Sequence, residues 1–139
     1  MQPQINTDKH GNICVYLNKF KHGDISYQIL NAAFEVHNAL GCGFLEKVYE
    51  NALIYELQLR GIKVTQQKDA TVYYKSKTVG IYTADLIVEN KVIIELKVAQ
   101  EITKIHQAQL LNYLKATGCE VGLILNFAKP KLEYERMVK

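Results

Sequence analysis

The feature that most limits what this chain can fold into is a change of hydrophobic period along it. Apolar residues recur at helical spacing up to Gly61, at strand spacing from 62 to 98, and again at helical spacing from 103 to 117, before one wholly apolar run at 121–127. From Asp24, an N-cap residue type, Ile25, Ile29, Ala32, Ala33, Val36 and Leu40 mark a first helix that Gly41-Cys42-Gly43 interrupts. Leu45, Val48, Tyr49, Ala52, Leu53 and Leu57 mark a second, with Gly61 where a C-terminal glycine belongs. The segments 62–66, 70–75, 79–89 and 92–98 are rich in Val, Ile, Tyr and Thr and predict strands, joined by loops at Lys75-Ser76-Lys77 and Glu89-Asn90-Lys91. A third helix follows from Thr103, with Ile105, Ala108, Leu111 and Leu114 as its stripe and Thr117-Gly118 as its end. The run VGLILNF at 121–127 predicts a strand covered on both faces and reached by a crossover. The result is an α/β fold with antiparallel strands and one crossover strand, followed by a basic tail from Lys129.

With 139 residues, one core is expected. Hydrophobic residues at 48% and charged residues at 22% exclude wholesale disorder. The polar start, residues 1–23, reads as an N-terminal extension in which 13–17 (ICVYL) could make a short edge strand; residues 24–139 form the domain. No apolar run reaches the roughly 18 residues of a membrane span, and the N-terminus lacks the basic and apolar regions of a signal peptide, so a cytoplasmic protein is expected. The net charge of +3 permits an anionic partner without demanding one. Cys14, Cys42 and Cys119 are odd in number and widely spaced, which supports neither a disulfide framework nor a zinc site and leaves reduced, partly buried thiols as the expectation.

Asp85, Glu95 and Lys97 are charges in or beside otherwise apolar strands, where an unpaired charge is costly. Glu95 and Lys97, two apart, project from one face of their strand. A three-residue loop at Glu89-Asn90-Lys91 places Asp85 opposite Glu95 on that face, whereas a two-residue loop separates them. Two carboxylates about 5 Å apart repel by ~3 kcal/mol at an effective dielectric of 20, so such a pair calls for a shared proton or a cation, and oxygen ligands suit Mg²⁺ or Mn²⁺. The plain alternative, at even odds from local sequence, is that Glu95 and Lys97 pair with each other while Asp85 marks a solvated sheet face. His106, Gln109 and Tyr113 form a polar stripe on the third helix; Gln and Tyr can orient a charged group or a phosphate without adding repulsion. Glu46 starts the second helix, where the helix dipole favours an anion, and the same placement could aim it into a cleft. Tyr49 is expected to pack in the core.

Gly43-Phe44-Leu45-Glu46-Lys47-Val48-Tyr49 resembles the G-x-x-E-x-x-Y signature of a family of small bacterial proteins named after it, within the PD-(D/E)XK nuclease superfamily. The blocks FEVHNALGCGFLEKVYENAL, TADLIVENKVIIELKV and HQAQLLNYLKATG resemble successive parts of that family, over about residues 24–128. The resemblance implies a restriction-endonuclease-like core, a mixed β-sheet flanked by helices, and metal-dependent phosphodiester hydrolysis on nucleic acid, with DNA preferred over RNA. It carries the metal ligands over to Asp85 and Glu95, with the Leu96 carbonyl as an additional ligand, and the water-assisting role to Lys97. Gln109 and Tyr113 resemble the supporting helix motif of RecB-type members and would contact substrate or steady Lys97; Glu46 resembles an extra acidic ligand of the early helix. Ala84 stands where the superfamily name has Pro, a residue without catalytic chemistry. The alternatives are a non-catalytic nucleic-acid-binding module and an oligomeric interaction protein, such as a homo-oligomer, in which the same residues make an ion-pair network.

Overall fold

The computed structural model describes residues 21–139. The elements in chain order are α1 (Gly23–Leu40), α2 (Glu46–Leu59), β1 (Val64–Tyr74), β2 (Lys77–Val88), β3 (Val92–Lys97), α3 (Lys104–Thr117), β4 (Val121–Asn126) and β5 (Glu133–Val138). The strands form one sheet in the order β1-β2-β3-β4-β5. It is mixed: β3 and β4 are parallel, joined through α3, and every other pair is antiparallel. The edge strand expected at 13–17, and Cys14, lie outside the described residues.

Alternation along the strands sorts the core into two layers. Val92, Ile94 and Leu96 of β3 and Val121, Leu123 and Leu125 of β4 face α1 and α2, meeting Ile29, Ala33, Val36, Tyr49, Leu53 and Leu57. Ile93 and Ile124 face the other way, toward Leu110 and Leu114 of α3. Both faces of β3 and β4 are therefore dry, which is why these strands read as unbroken apolar runs. Gly122 lies under α3, and a Cβ there would stand 2.8 Å from the Leu110 side chain. Gly122→Val should therefore cost about 1–3 kcal/mol through overpacking, measured as a lowered midpoint in urea with an unchanged slope.

Four expectations are corrected. The segments 62–66 and 70–75 belong to a single strand, β1, because the chain passes Gln67 in a left-handed conformation (φ 53°) and stays in register with β2 on both sides. The loop expected at 75–77 is the two-residue turn Lys75-Ser76, both at positive φ, with Lys77 already paired to Tyr74. The region after Lys129 is not merely a basic tail: residues 133–138 form β5 on the free side of β4. Cys42 is exposed rather than partly buried, while Cys119 is half-buried; both are free thiols.

Helix ends follow local chemistry. Asp24 lies in the first turn of α1 rather than at its cap, which is His22. Thr103 caps α3 in a capping box, with its hydroxyl accepting from the His106 amide and its own amide donating to His106 Nδ1 at 3.1 Å. That explains His106 structurally and removes it from the polar stripe.

Candidate active site

Tyr49 explains the spacing of the G-x-x-E-x-x-Y segment. It is fully buried, its ring stacks on Phe127 at 4.6 Å, and its hydroxyl donates to the Gly41 carbonyl at 2.7 Å while accepting from the Phe44 amide at 3.2 Å. The hydroxyl thus closes the turn in which Gly41 and Gly43 have positive φ, and so sets where α2 starts and where Glu46 stands. Tyr49→Phe keeps the stack and removes both bonds; a loss of about 1–2 kcal/mol in thermal or chemical melts is expected, with no change of fold.

The β2–β3 loop has three residues, with Val88 opposite Val92 and Leu86 opposite Ile94. Continued by one step, that register sets Asp85 opposite Glu95. The β2–β3 ladder stops there, and the Leu96 amide bonds to Asp85 Oδ2 at 2.9 Å, where a continuing strand would have offered backbone. The face pattern of β1 and β2 changes at the same point. In β2, Tyr82 and Ala84 pack in the α3 layer but Leu86 and Val88 in the other; in β1, Ala70 and Val72 pack in the α3 layer and Val64 in the other. Gln67 with its positive φ stands across from Asp85 at this break. The break brings Tyr82 to the face of Glu95, and its hydroxyl donates to Glu95 Oε1.

The Asp85 and Glu95 carboxyl groups lie within hydrogen-bonding reach of each other. Burial, and then the charge of Asp85, push Glu95 up to about 7, despite the Tyr82 hydrogen bond and the nearby Lys97. Burial also raises Asp85, against the Leu96 amide bond that favours its charged form. Glu46, at the exposed start of α2, is raised by desolvation and next by Asp85, and is favoured by Lys97, so Glu46, Asp85 and Lys97 share one electrostatic neighbourhood. Lys97 is half-buried and makes no ion pair within 4 Å to a carboxylate among the described residues.

Tyr113 stacks on Tyr82, with ring centroids 3.4 Å apart and planes 12° from parallel, and its pKa is raised by burial and by Glu95. It therefore reaches the cluster through Tyr82. Gln109 is exposed on α3, away from any hydrogen bond among the described residues. Ala84 is buried and opposite Lys68 in the β1–β2 ladder.

Three participants escape sequence reasoning. Glu50 is buried and accepts from Lys47, from Gln66 Nε2 at 2.6 Å and from Gln67 Nε2 at 3.1 Å; its charge contributes to raising both Asp85 and Glu46. The available signal was an acidic residue inside the apolar stripe of Tyr49, Leu53 and Leu57. Tyr82 carried no signal, since simple alternation puts it on the face opposite Asp85. Asn126, fully buried at the end of β4 and paired in register with Lys97, was hidden in an apolar run.

Among the described residues, no three His, Cys, Asp or Glu side chains stand in a ready metal-holding arrangement. The two adjoining carboxylates nevertheless fit a hard divalent cation: the donors are all oxygen, and a cation would relieve the repulsion between them.

A mixed five-stranded sheet with helices on both faces is an α/β fold, consistent with a restriction-endonuclease-like core. Over residues 23–137 the sequence matches the PD-(D/E)XK nuclease superfamily, and the chain belongs to it. Members of this superfamily are nucleases that generally use divalent metals. Among solved structures, the one titled "Crystal structure of SSO0001" is similar, with a TM-score of 0.55 and 15% sequence identity, over 88% of this chain and 62% of that one. At that identity the likeness concerns the fold, and this chain spans under two thirds of that relative. No match is found among curated proteins. No helix among the described residues is long and apolar enough to cross a membrane.

Proposed function

We propose that this chain is a metal-dependent nuclease of the GxxExxY type that hydrolyses phosphodiester bonds, with DNA as its substrate. The observation that carries the reading is the meeting of the Asp85 and Glu95 carboxylates beside Lys97, at the point where β2 leaves β3. Asp85 and Glu95 would hold a Mg²⁺ or Mn²⁺ ion, with the Leu96 carbonyl beside them and Glu46 approaching from α2. Such an ion supplies Lewis acidity toward a phosphate oxygen. Asp85 is aimed by the Leu96 amide and Glu95 by the Tyr82 hydroxyl, so neither carboxylate has to reorient far to bind. Lys97, with no carboxylate within 4 Å among the described residues, can orient the attacking water or steady the charge that develops on the phosphate. Tyr113 supports Glu95 by holding Tyr82 in a stack. Gln109, exposed on the same helix, is available to a bound strand.

Calorimetric titration of Mn²⁺ into the protein, paired with cleavage assays on single-stranded, duplex and branched DNA and on RNA, tests the reading. Binding of the ion together with ion-dependent cleavage of DNA is expected. A protein that binds neither ion nor yields product would sink it. A second reading, a nucleic-acid-binding module that does not cleave alone, draws on the lack of a complete three-ligand arrangement among the described residues. Salt-dependent DNA affinity without product would favour it.

A further inference from the structure

Beyond the point where β3 ends its pairing, residues 77–85 of β2 pair with β1 alone, so β1 and β2 extend as a two-stranded arm. The arm carries four bulky apolar or aromatic side chains in solvent: Tyr73 is 65% exposed, Tyr74 62%, Val79 58% and Ile81 67%. The helix α3 covers the arm at Ala70, Val72, Tyr82 and Ala84, but the four exposed side chains stay largely in solvent, a density unusual on a solvated surface. Between residues 70 and 84 there is no Asp or Glu, while Lys75 and Lys77 flank the turn. Lys75 Nζ lies 5.4 Å from the Tyr74 ring centroid, so the ammonium and the aromatic face occupy one spot. The arm is continuous with the candidate site: a hollow of about 470 Å³ is lined by Val72, Val79, Ile81 and Tyr82 of the arm, and by Tyr113 and Glu95.

We propose that this arm is the docking surface for an unpaired DNA strand, which it guides along the hollow toward Glu95. This rests on the reading of the site as a DNA-cleaving centre and adds the form of the substrate. Exposed tyrosine rings can stack on a base only where that base has left a duplex, and ammonium groups without neighbouring carboxylates match a phosphate backbone. A protein partner would gain from the apolar side chains but not from the uncompensated lysines beside them.

The test is fluorescence anisotropy with labelled single-stranded, duplex and RNA oligonucleotides of one sequence, in chelator so that nothing is cleaved. Wild type should bind either single strand more tightly than the duplex, since base stacking and phosphate contacts do not depend on the sugar. Tyr73→Ala/Tyr74→Ala should weaken single-strand binding at least about tenfold, while Tyr73→Phe/Tyr74→Phe should retain it. Lys75→Gln/Lys77→Gln should reduce the slope of log affinity against log salt by about 1.4, at ~0.7 per phosphate contact on a single strand. If the alanine pair fails to fold by circular dichroism, the lysine pair decides through the salt slope. Unchanged affinity in a folded alanine pair, an unchanged salt slope, duplex bound as tightly as the single strands, or no binding at all would each overturn the proposal. A wild type that binds through the arm yet cleaves nothing would instead remove the nuclease reading and leave the docking surface standing.

Discussion

Asp85→Ala is expected to lose ion binding and cleavage together, whereas Lys97→Ala keeps the ion and loses at least about 100-fold in rate. The asymmetry follows from position. Asp85 supplies one of two adjoining carboxylates, and its removal leaves Glu95 alone, still held by Tyr82 and too poor in donors to hold a divalent ion. Lys97 donates nothing to an ion; removing its charge takes a competing cation away from the carboxylates, so affinity for the ion should hold or rise slightly. The fold should survive both changes. In chelator, Asp85→Ala strands the Leu96 amide but ends the repulsion with Glu95, and the two effects are similar in size, on the order of 2–3 kcal/mol. A melting temperature within a few degrees of wild type then separates a lost ligand from a lost fold. Paired calorimetry and oligonucleotide cleavage provide the check: cleavage unchanged in both variants would place the chemistry elsewhere, and loss of ion binding in Lys97→Ala would make the lysine structural.

The legible part of this molecule is the part governed by local rules. The first two helices follow from apolar stripes and the glycines after them. The third follows from its Thr103 cap and Gly118, while of its expected stripe Ile105 is 70% exposed and the buried residues are Leu110 and Leu114. The parallel crossover follows from an apolar run after a helix. The meeting of Asp85 with Glu95 follows from counting three loop residues. What resisted reading depends on contacts distant in sequence. The β5 strand alternates weakly because, with half-buried Glu133 and Glu135, it does not present a clean apolar face. Tyr82 joins Glu95 only because β1 and β2 change face at Gln67 and Asp85, a break that a strict period of two forbids. Glu50 looked like an ordinary helix charge until Gln66 and Gln67 of β1 closed over it. Two of these exceptions, Tyr82 and Glu50, lie beside the candidate site, as expected where chemistry requires a departure from local preference.

Asn126→Ala should be the most damaging single change away from the carboxylates, lowering stability by on the order of 3 kcal/mol. Its Oδ1 accepts from the amides of Ala99 at 3.1 Å and Ala128 at 3.2 Å, and its Nδ2 donates to the Ala99 carbonyl at 2.8 Å and to Glu133 Oε1 at 3.0 Å. Glu133 also accepts from the Ile102 amide and from Lys129, so one amide and one carboxylate tie the segment after Lys97 to the β4–β5 connection. Alanine would leave several of these groups unpaired beside a fully buried position. The segment that leads from Lys97 to the Thr103 cap would loosen, and cleavage should fall even where the protein remains folded. The pH dependence has a definite sign. Burial alone would raise Glu133, but hydrogen bonds from Asn126, Lys129 and Ile102 outweigh it and lower its pKa. A lowered carboxylate pKa contributes stability that is present above the unfolded-state value and is lost as pH falls through the folded one. The gap between wild type and Asn126→Ala should therefore be widest near neutrality and narrow in acid, leaving only the share due to Ala99 and Ala128. Urea melts of both proteins across that range check it, and a gap that widens as the pH falls would show that Glu133 is not the partner through which Asn126 acts.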